Sequence, residues 1–211
     1  MKKLGTLLIL IGIAIFMIPI VGGLYIQRQQ RVYIETYVEK NRVLQEQFEA
    51  LDEQEKKGAV PLIEESVSAI VEGQVVKGEV MGMLAIPSVD IELPLLEGTT
   101  QEELKIGAGH MEGTALPGQV GNCAIAGHRS YTFSKMFNRL GEVKEGDVIV
   151  LTQQERSYTY KVSEIFIVEP ESTWVLEPVE DKKVLTLITC EPVVKATHRL
   201  IVRGVLEVEE K

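Results

Sequence analysis

Hydrophobic and polar positions divide the chain into four stretches. Leu4 to Ile26 is a run of 23 residues without a charge, preceded by Met1-Lys2-Lys3. At about 1.5 Å per residue a helix of that length crosses a hydrocarbon core of about 30 Å. No convincing small-x-small cleavage site follows it, so residues 1–26 are expected to be an uncleaved transmembrane anchor. Gln27 to Lys57 is polar and free of Gly and Pro, and Tyr37, Leu44, Phe48 and Leu51 recur at helical spacing. Gly58 and Pro61 end that pattern. Residues 27–57 are read as a helical stalk, a solvated spacer rather than a coiled coil, since two heptads are too few for the latter. Residues 58–77 are small, acidic and Gly-containing, and are read as a linker.

From Gly78 the texture changes to short β-branched runs separated by turn residues. Strands are expected at Met83–Ile86 and Ile91–Leu96, around Pro87 to Asp90. Thr100–Ile106 has a capping residue and acids in its first turn, and predicts a short helix. Gly107 to Gly121 carries five glycines and Pro117 and predicts a long irregular loop. A strand over Asn122–Ala126 leads into Gly127-His128-Arg129, and Phe133–Leu140 predicts another short helix. Asp147–Thr152 and Ser157–Phe166 form a hairpin, Glu169–Asp181 a long loop, and Val184–Cys190 and His198–Gly204 the last strands. In the first of these Val184, Thr186, Ile188 and Cys190 alternate with Leu185, Leu187 and Thr189, as in a strand buried on both faces. About eight short strands with brief helices predict a mainly β body over residues 78–211, closed into a barrel that leaves no exposed edges.

Composition narrows the function. The chain has 22 Lys and Arg against 31 Asp and Glu, a formal charge of −9. Nothing there balances a phosphate backbone, which argues against a nucleic-acid partner. Two cysteines, Cys123 and Cys190, are too few for a disulfide framework, and no Cys/His spacing resembles a zinc site.

Three ionisable residues fall at strand ends beside loops, where rigid scaffolds display catalytic groups: His128, Cys190 and Arg199. A cysteine nucleophile needs an acid/base partner and a donor for the developing oxyanion, and His and Arg suit those roles. Spacing alone does not bring them together, because 62 residues separate His128 from Cys190. A buried structural cysteine is the bland alternative, and a Cys123–Cys190 bridge is another. By strand alternation Cys123 points away from His128 and into the core. His110, in the Gly-rich loop, either lines a substrate cleft or packs the loop. Thr189 is a candidate for orienting the corner or touching substrate, and Arg203 reads as a surface charge.

The TLITC run at Thr186–Cys190, Arg199 opening the next strand, and AGHRS at Ala126–Ser130 together resemble the sortases, cysteine transpeptidases of Gram-positive cell surfaces. GHMEGTALPGQVGN at Gly109–Asn122 is similar to the loop before that family's histidine strand. The resemblance implies an eight-stranded barrel with Cys190 as nucleophile, His128 as general acid/base and Arg199 holding substrate and oxyanion. It implies cleavage of an LPxTG-like sorting signal of surface proteins and transfer of the acyl group to a peptidoglycan amine. The wording is most like class D, with class A next. Residues 58–80 lack the aromatic lid motif of pilus-assembling sortases. The readings set against it are a pilus-assembling sortase, a thiol peptidase hydrolysing the same signal, and a binding module that has lost catalysis. No cofactor is expected. Glu112 is the only acid between Gly107 and Asn122, too few for the six to eight oxygens that calcium takes. With an anchor and a short N-terminal tail, the body is expected on the extracellular face of the membrane.

Overall fold

The computed structural model describes residues 78–129, 136–193 and 195–210, with scattered positions between 10 and 39, all of them helical. Most of the expected stalk, the linker, and part of the expected anchor lie outside the described residues. Among those described, no helix is long and apolar enough to cross a membrane.

Eight strands close into a barrel: β1 (Val80–Ile86), β2 (Ile91–Glu97), β3 (Ala108–His110), β4 (Gly121–Ala126), β5 (Val148–Gln153), β6 (Arg156–Val168), β7 (Lys183–Glu191) and β8 (His198–Glu210). Their order around the barrel is β1-β2-β3-β4-β7-β8-β6-β5. Two neighbouring pairs, β2–β3 and β4–β7, are parallel and the rest antiparallel. Closure hides the edges that short strands would otherwise expose.

Local chemistry accounts for the turns. Asp90, at φ 51°, ends the 3₁₀ turn Pro87–Val89 between β1 and β2. The helix α1 (Gln101–Ile106) starts with a capping box: Glu102 N donates to Thr100 Oγ1 at 3.3 Å and Thr100 N to Glu103 Oε2 at 2.7 Å. Gln154, at φ 53°, lies in the tight β5–β6 connection.

Inward positions of every strand fill the core. Leu84, Ile86, Ile125, Phe137, Ile149, Leu185, Leu187 and Val202 are fully buried within it. Cys123 belongs to the same cluster. Both cysteines are free, so the bridge alternative does not hold. Burial pushes the Cys123 thiol well above its ordinary range, which leaves it unreactive.

Three expectations need correction. The glycine-rich stretch is not loop throughout: Ala108–His110 forms β3, parallel to β2. The segment before β5 is a 3₁₀ helix at Phe137–Glu142, later than expected, while residues 130–135 lie outside the described set. The connection before β7 contains a 3₁₀ turn at Thr173–Leu176.

His110 explains how the glycine-rich loop is held. It is 2% exposed, and its Nδ1 reaches Glu97 Oε2 at 2.7 Å across the β2–β3 pair. Its Nε2 lies 3.0 Å from the Ala115 carbonyl, and Thr114 Oγ1 receives the Ala124 N–H at 3.2 Å. The His110→Ala change strands the Glu97 carboxylate and that carbonyl. We expect it to lower stability by about 2 to 3 kcal/mol in denaturant titration; a loss below about 0.5 kcal/mol, typical of a surface change, would contradict this account.

Candidate active site

The site is built on β4, β7 and β8. Register places Cys123 and Ile125 beside Leu185 and Leu187, all facing the core. The alternate positions face outward: Ala124 beside Thr186, and Ala126 beside Ile188. Cys190 follows on that outer face and pairs directly with Arg199 of β8. Both are partly exposed.

His128 lies two residues beyond the last β4 pair, and the parallel ladder continues past the strand's end. Gly127 N donates to the Ile188 carbonyl at 3.0 Å, and Thr189 Oγ1 donates to the Gly127 carbonyl at 2.7 Å. One step further the Arg129 guanidinium is ion-paired with the Glu191 carboxylate, and its Nη1 also reaches the Cys190 carbonyl at 3.3 Å. Positions 127 and 129 are therefore tied to 189 and 191, so His128 stands alongside Cys190. The ladder does what sequence spacing could not.

Packing fixes this turn from beneath. A Cβ added at Gly127 would stand 2.5 Å from the Phe137 ring, so glycine is required for the close approach. A Cβ at Gly141 would stand 2.7 Å from Arg129 Nη2, which seats the guanidinium against bare backbone. Neither Arg129 nor Glu191 stood out in the sequence. The available signal was their placement, an opposite charge immediately after each of the two candidate residues.

Electrostatics sets the state of the histidine. Partial burial, then the positive charge of Lys105, hold the His128 imidazole below its ordinary pKa. Both effects favour the neutral imidazole, the form that can accept a proton. Arg199 donates from Nη1 to the His198 carbonyl at 2.9 Å and to the Ala196 carbonyl at 3.2 Å, which fixes it to the β7–β8 connection.

The remaining candidates stay outside the corner. Thr189 is 2% exposed and donates its hydroxyl to the Gly127 carbonyl, which orients the turn. His110, enclosed by Glu97 and Ala115, is not brought to this corner either. Arg203 is corrected from a surface charge to a half-buried one. Its Nη1 bonds Glu164 at 3.0 Å, its Nε reaches Thr186 Oγ1 at 3.3 Å, and its Nη2 reaches the Val175 carbonyl at 3.3 Å. Among the described residues no group of three or more His, Cys, Asp or Glu is arranged to hold a metal ion.

The Sortase domain family model matches residues 84–207. Sortase A of Streptococcus agalactiae is 32% identical over 97% of this chain and 83% of that protein. Sortase D of Bacillus subtilis is 33% identical over 60% of this chain and 64% of that one. Among solved structures, sortase C1 from Streptococcus agalactiae is similar at 37% identity and a TM-score of 0.59, covering 61% of this chain and 68% of that chain. The family match runs from β1 to β8 and takes in the whole Cys190–His128–Arg199 corner: this chain belongs to the sortase family.

Proposed function

We propose that the protein is a cysteine transpeptidase that cleaves an LPxTG-like sorting signal of surface proteins and joins the acyl group to a peptidoglycan amine. One observation carries the assignment of roles: the β4–β7 ladder sets His128 alongside Cys190, while β8 sets Arg199 opposite it. Cys190 Sγ attacks the carbonyl of the signal's threonine as its proton passes to His128. Arg199 stabilises the resulting oxyanion. The Thr–Gly bond breaks, a thioester forms on Cys190, and His128 returns the proton to the departing amine. The incoming amine attacks the thioester and gives up a proton to His128, and the thiolate leaves with the new amide complete. Protonation of Cys190 and His128 belongs to the pair.

The wording of the cysteine and glycine-rich motifs supports a class D enzyme. A pilus-assembling role is the second reading, favoured by similarity to a solved "Pilus-related Sortase C" of Group B Streptococcus at 33% identity and a TM-score of 0.59. The acceptor separates them: a cell-wall amine for the first, a lysine side chain of a second protein for the other. Location on the extracellular face, through a membrane anchor in residues 1–26, is part of the proposal and is supported by the charge-free run Leu4 to Ile26.

Incubation with an LPxTG-type peptide and an amine should yield ligated peptide, and Cys190→Ala should abolish it. Activity surviving that change would remove Cys190 as nucleophile. The Arg199→Met change should lower kcat/KM by about 10²- to 10³-fold, as loss of an oxyanion donor does; a loss below about threefold would deny Arg199 that role.

The position of Lys105 gives a pH test. Its charge opposes protonation of His128, so removing it raises the pH at which the imidazole takes up a proton. In the Lys105→Gln variant the acid limb of the kcat/KM profile should move to higher pH, most visibly at low ionic strength. A limb that stays put or moves down at low salt would contradict this.

A further inference from the structure

Away from the reacting corner, the outer face of the barrel carries a buried polar network that the transfer chemistry does not use. Asn122 of β4 and Thr186 of β7 are 1% and 0% exposed. Thr186 Oγ1 donates to Asn122 Oδ1 at 2.7 Å. That leaves Asn122 Nδ2 to donate outward, to the Val175 carbonyl at 2.8 Å and the Glu177 carbonyl at 3.2 Å. Both carbonyls belong to the connection between β6 and β7. Arg203 supplies a second donor to Val175, and Val175 itself is buried as an apolar plug.

The same guanidinium grips the connection through its aromatics. Phe166 of β6 and Trp174 of the connection stack with centroids 5.6 Å apart and planes 9° from parallel. Arg203 Cζ lies 5.4 Å from the Phe166 centroid and 6.0 Å from that of Trp174. Glu164 balances the charge at 3.0 Å, so the cation is partly desolvated without being unpaired. Such a site favours cation–π attraction over its value in open water. One arginine thus joins β8, β7, β6 and the connection that overhangs the face on which Cys190 lies.

We propose that Arg203 is a positioning residue for substrate recognition. It clamps the β6–β7 connection onto the outer face and so sets how tightly the acyl donor binds, without touching the reacting atoms. The inference rests on the transpeptidase reading and deepens it. A connection held by three hydrogen bonds from two side chains, Asn122 and Arg203, is ordered before the acyl donor arrives, which lowers the entropy that binding has to overcome.

Trp174 is the only tryptophan of the chain and reports directly on the clamp. The test compares the full-length protein with Arg203→Met and Arg203→Lys. It measures Trp174 emission, KM and kcat for an LPxTG-type donor peptide with excess amine, and the rate of Cys190 alkylation by iodoacetamide. Lysine keeps a charge for Glu164 but loses the planar fork and the ring contact. Both variants should therefore shift the emission to the red and raise donor KM about tenfold, the equivalent of about 1.4 kcal/mol, with kcat changed less. The alkylation rate should stay within about twofold of wild type, which separates loss of the clamp from damage to the corner. A donor KM within about twofold of wild type in both variants, or alkylation falling in step with KM, would overturn the proposal. If the wild type ligates no sorting-signal peptide, the transpeptidase reading fails. The clamp then stands or falls on the emission alone, and an unshifted spectrum overturns it.

Discussion

The parallel pairing of β4 with β7 is the constraint on which the site depends. Parallel neighbours come from distant parts of a chain, and here they carry residues near 125 and near 188 side by side. Once that register is set, four consecutive positions after Ile125 are matched with four after Leu187, and each pair adds something different. Ala126 and Ile188 are the last pair of the regular ladder. Gly127 and Thr189 are locked by a hydroxyl-to-carbonyl bond. By register His128 then falls alongside Cys190, and Arg129 is ion-paired with Glu191. The His128–Cys190 pair is thus flanked by a fixed contact on each side. A shift of one residue would turn every one of these side chains to the opposite face.

Energetics and chemistry pull in compatible directions at this corner. The core beneath it is apolar and dense, so the strands that carry Cys190 and His128 have little freedom to slide. Polar groups at the strand ends bond one another, Thr189 with Gly127 and Arg129 with Glu191 and the Cys190 carbonyl, while Arg129 Nε is buried without a hydrogen-bond partner. The two cysteines show how environment divides labour within a single strand pair. Cys123 faces inward, where burial suppresses its ionisation, while Cys190 lies partly exposed on the outer face.

Much of the barrel was legible because its signals are local. Alternation along Val184–Cys190, the capping chemistry at Thr100 and the turn residues near Asp90 depend on neighbours only a few positions away. Cys190, His128 and Arg199 stood out as candidates by residue type and by their order along the chain, in company with the flanking motifs. Three things were not legible. A strand of only Ala108–His110 is too short for alternation to register, and its glycine reads as loop. His110 was ambiguous because its partner Glu97 belongs to another strand. Arg203 was misread because its contacts come from β6, β7 and the Thr173–Leu176 turn, none of which is adjacent in sequence. Buried side-chain networks are tertiary facts, and a charged residue within a strand gives no hint of them.

The adjacency of His128 and Cys190 can be measured without reference to any substrate. Neighbouring strands run about 4.7 to 4.9 Å apart, within the separation that a disulfide spans. In the His128→Cys variant, mild oxidation should therefore give an intramolecular disulfide to Cys190, detected by peptide mass spectrometry, with Cys123 left as a free thiol. Failure to form that bond, or a bridge to Cys123 instead, would contradict the β4–β7 register and with it the site built upon it.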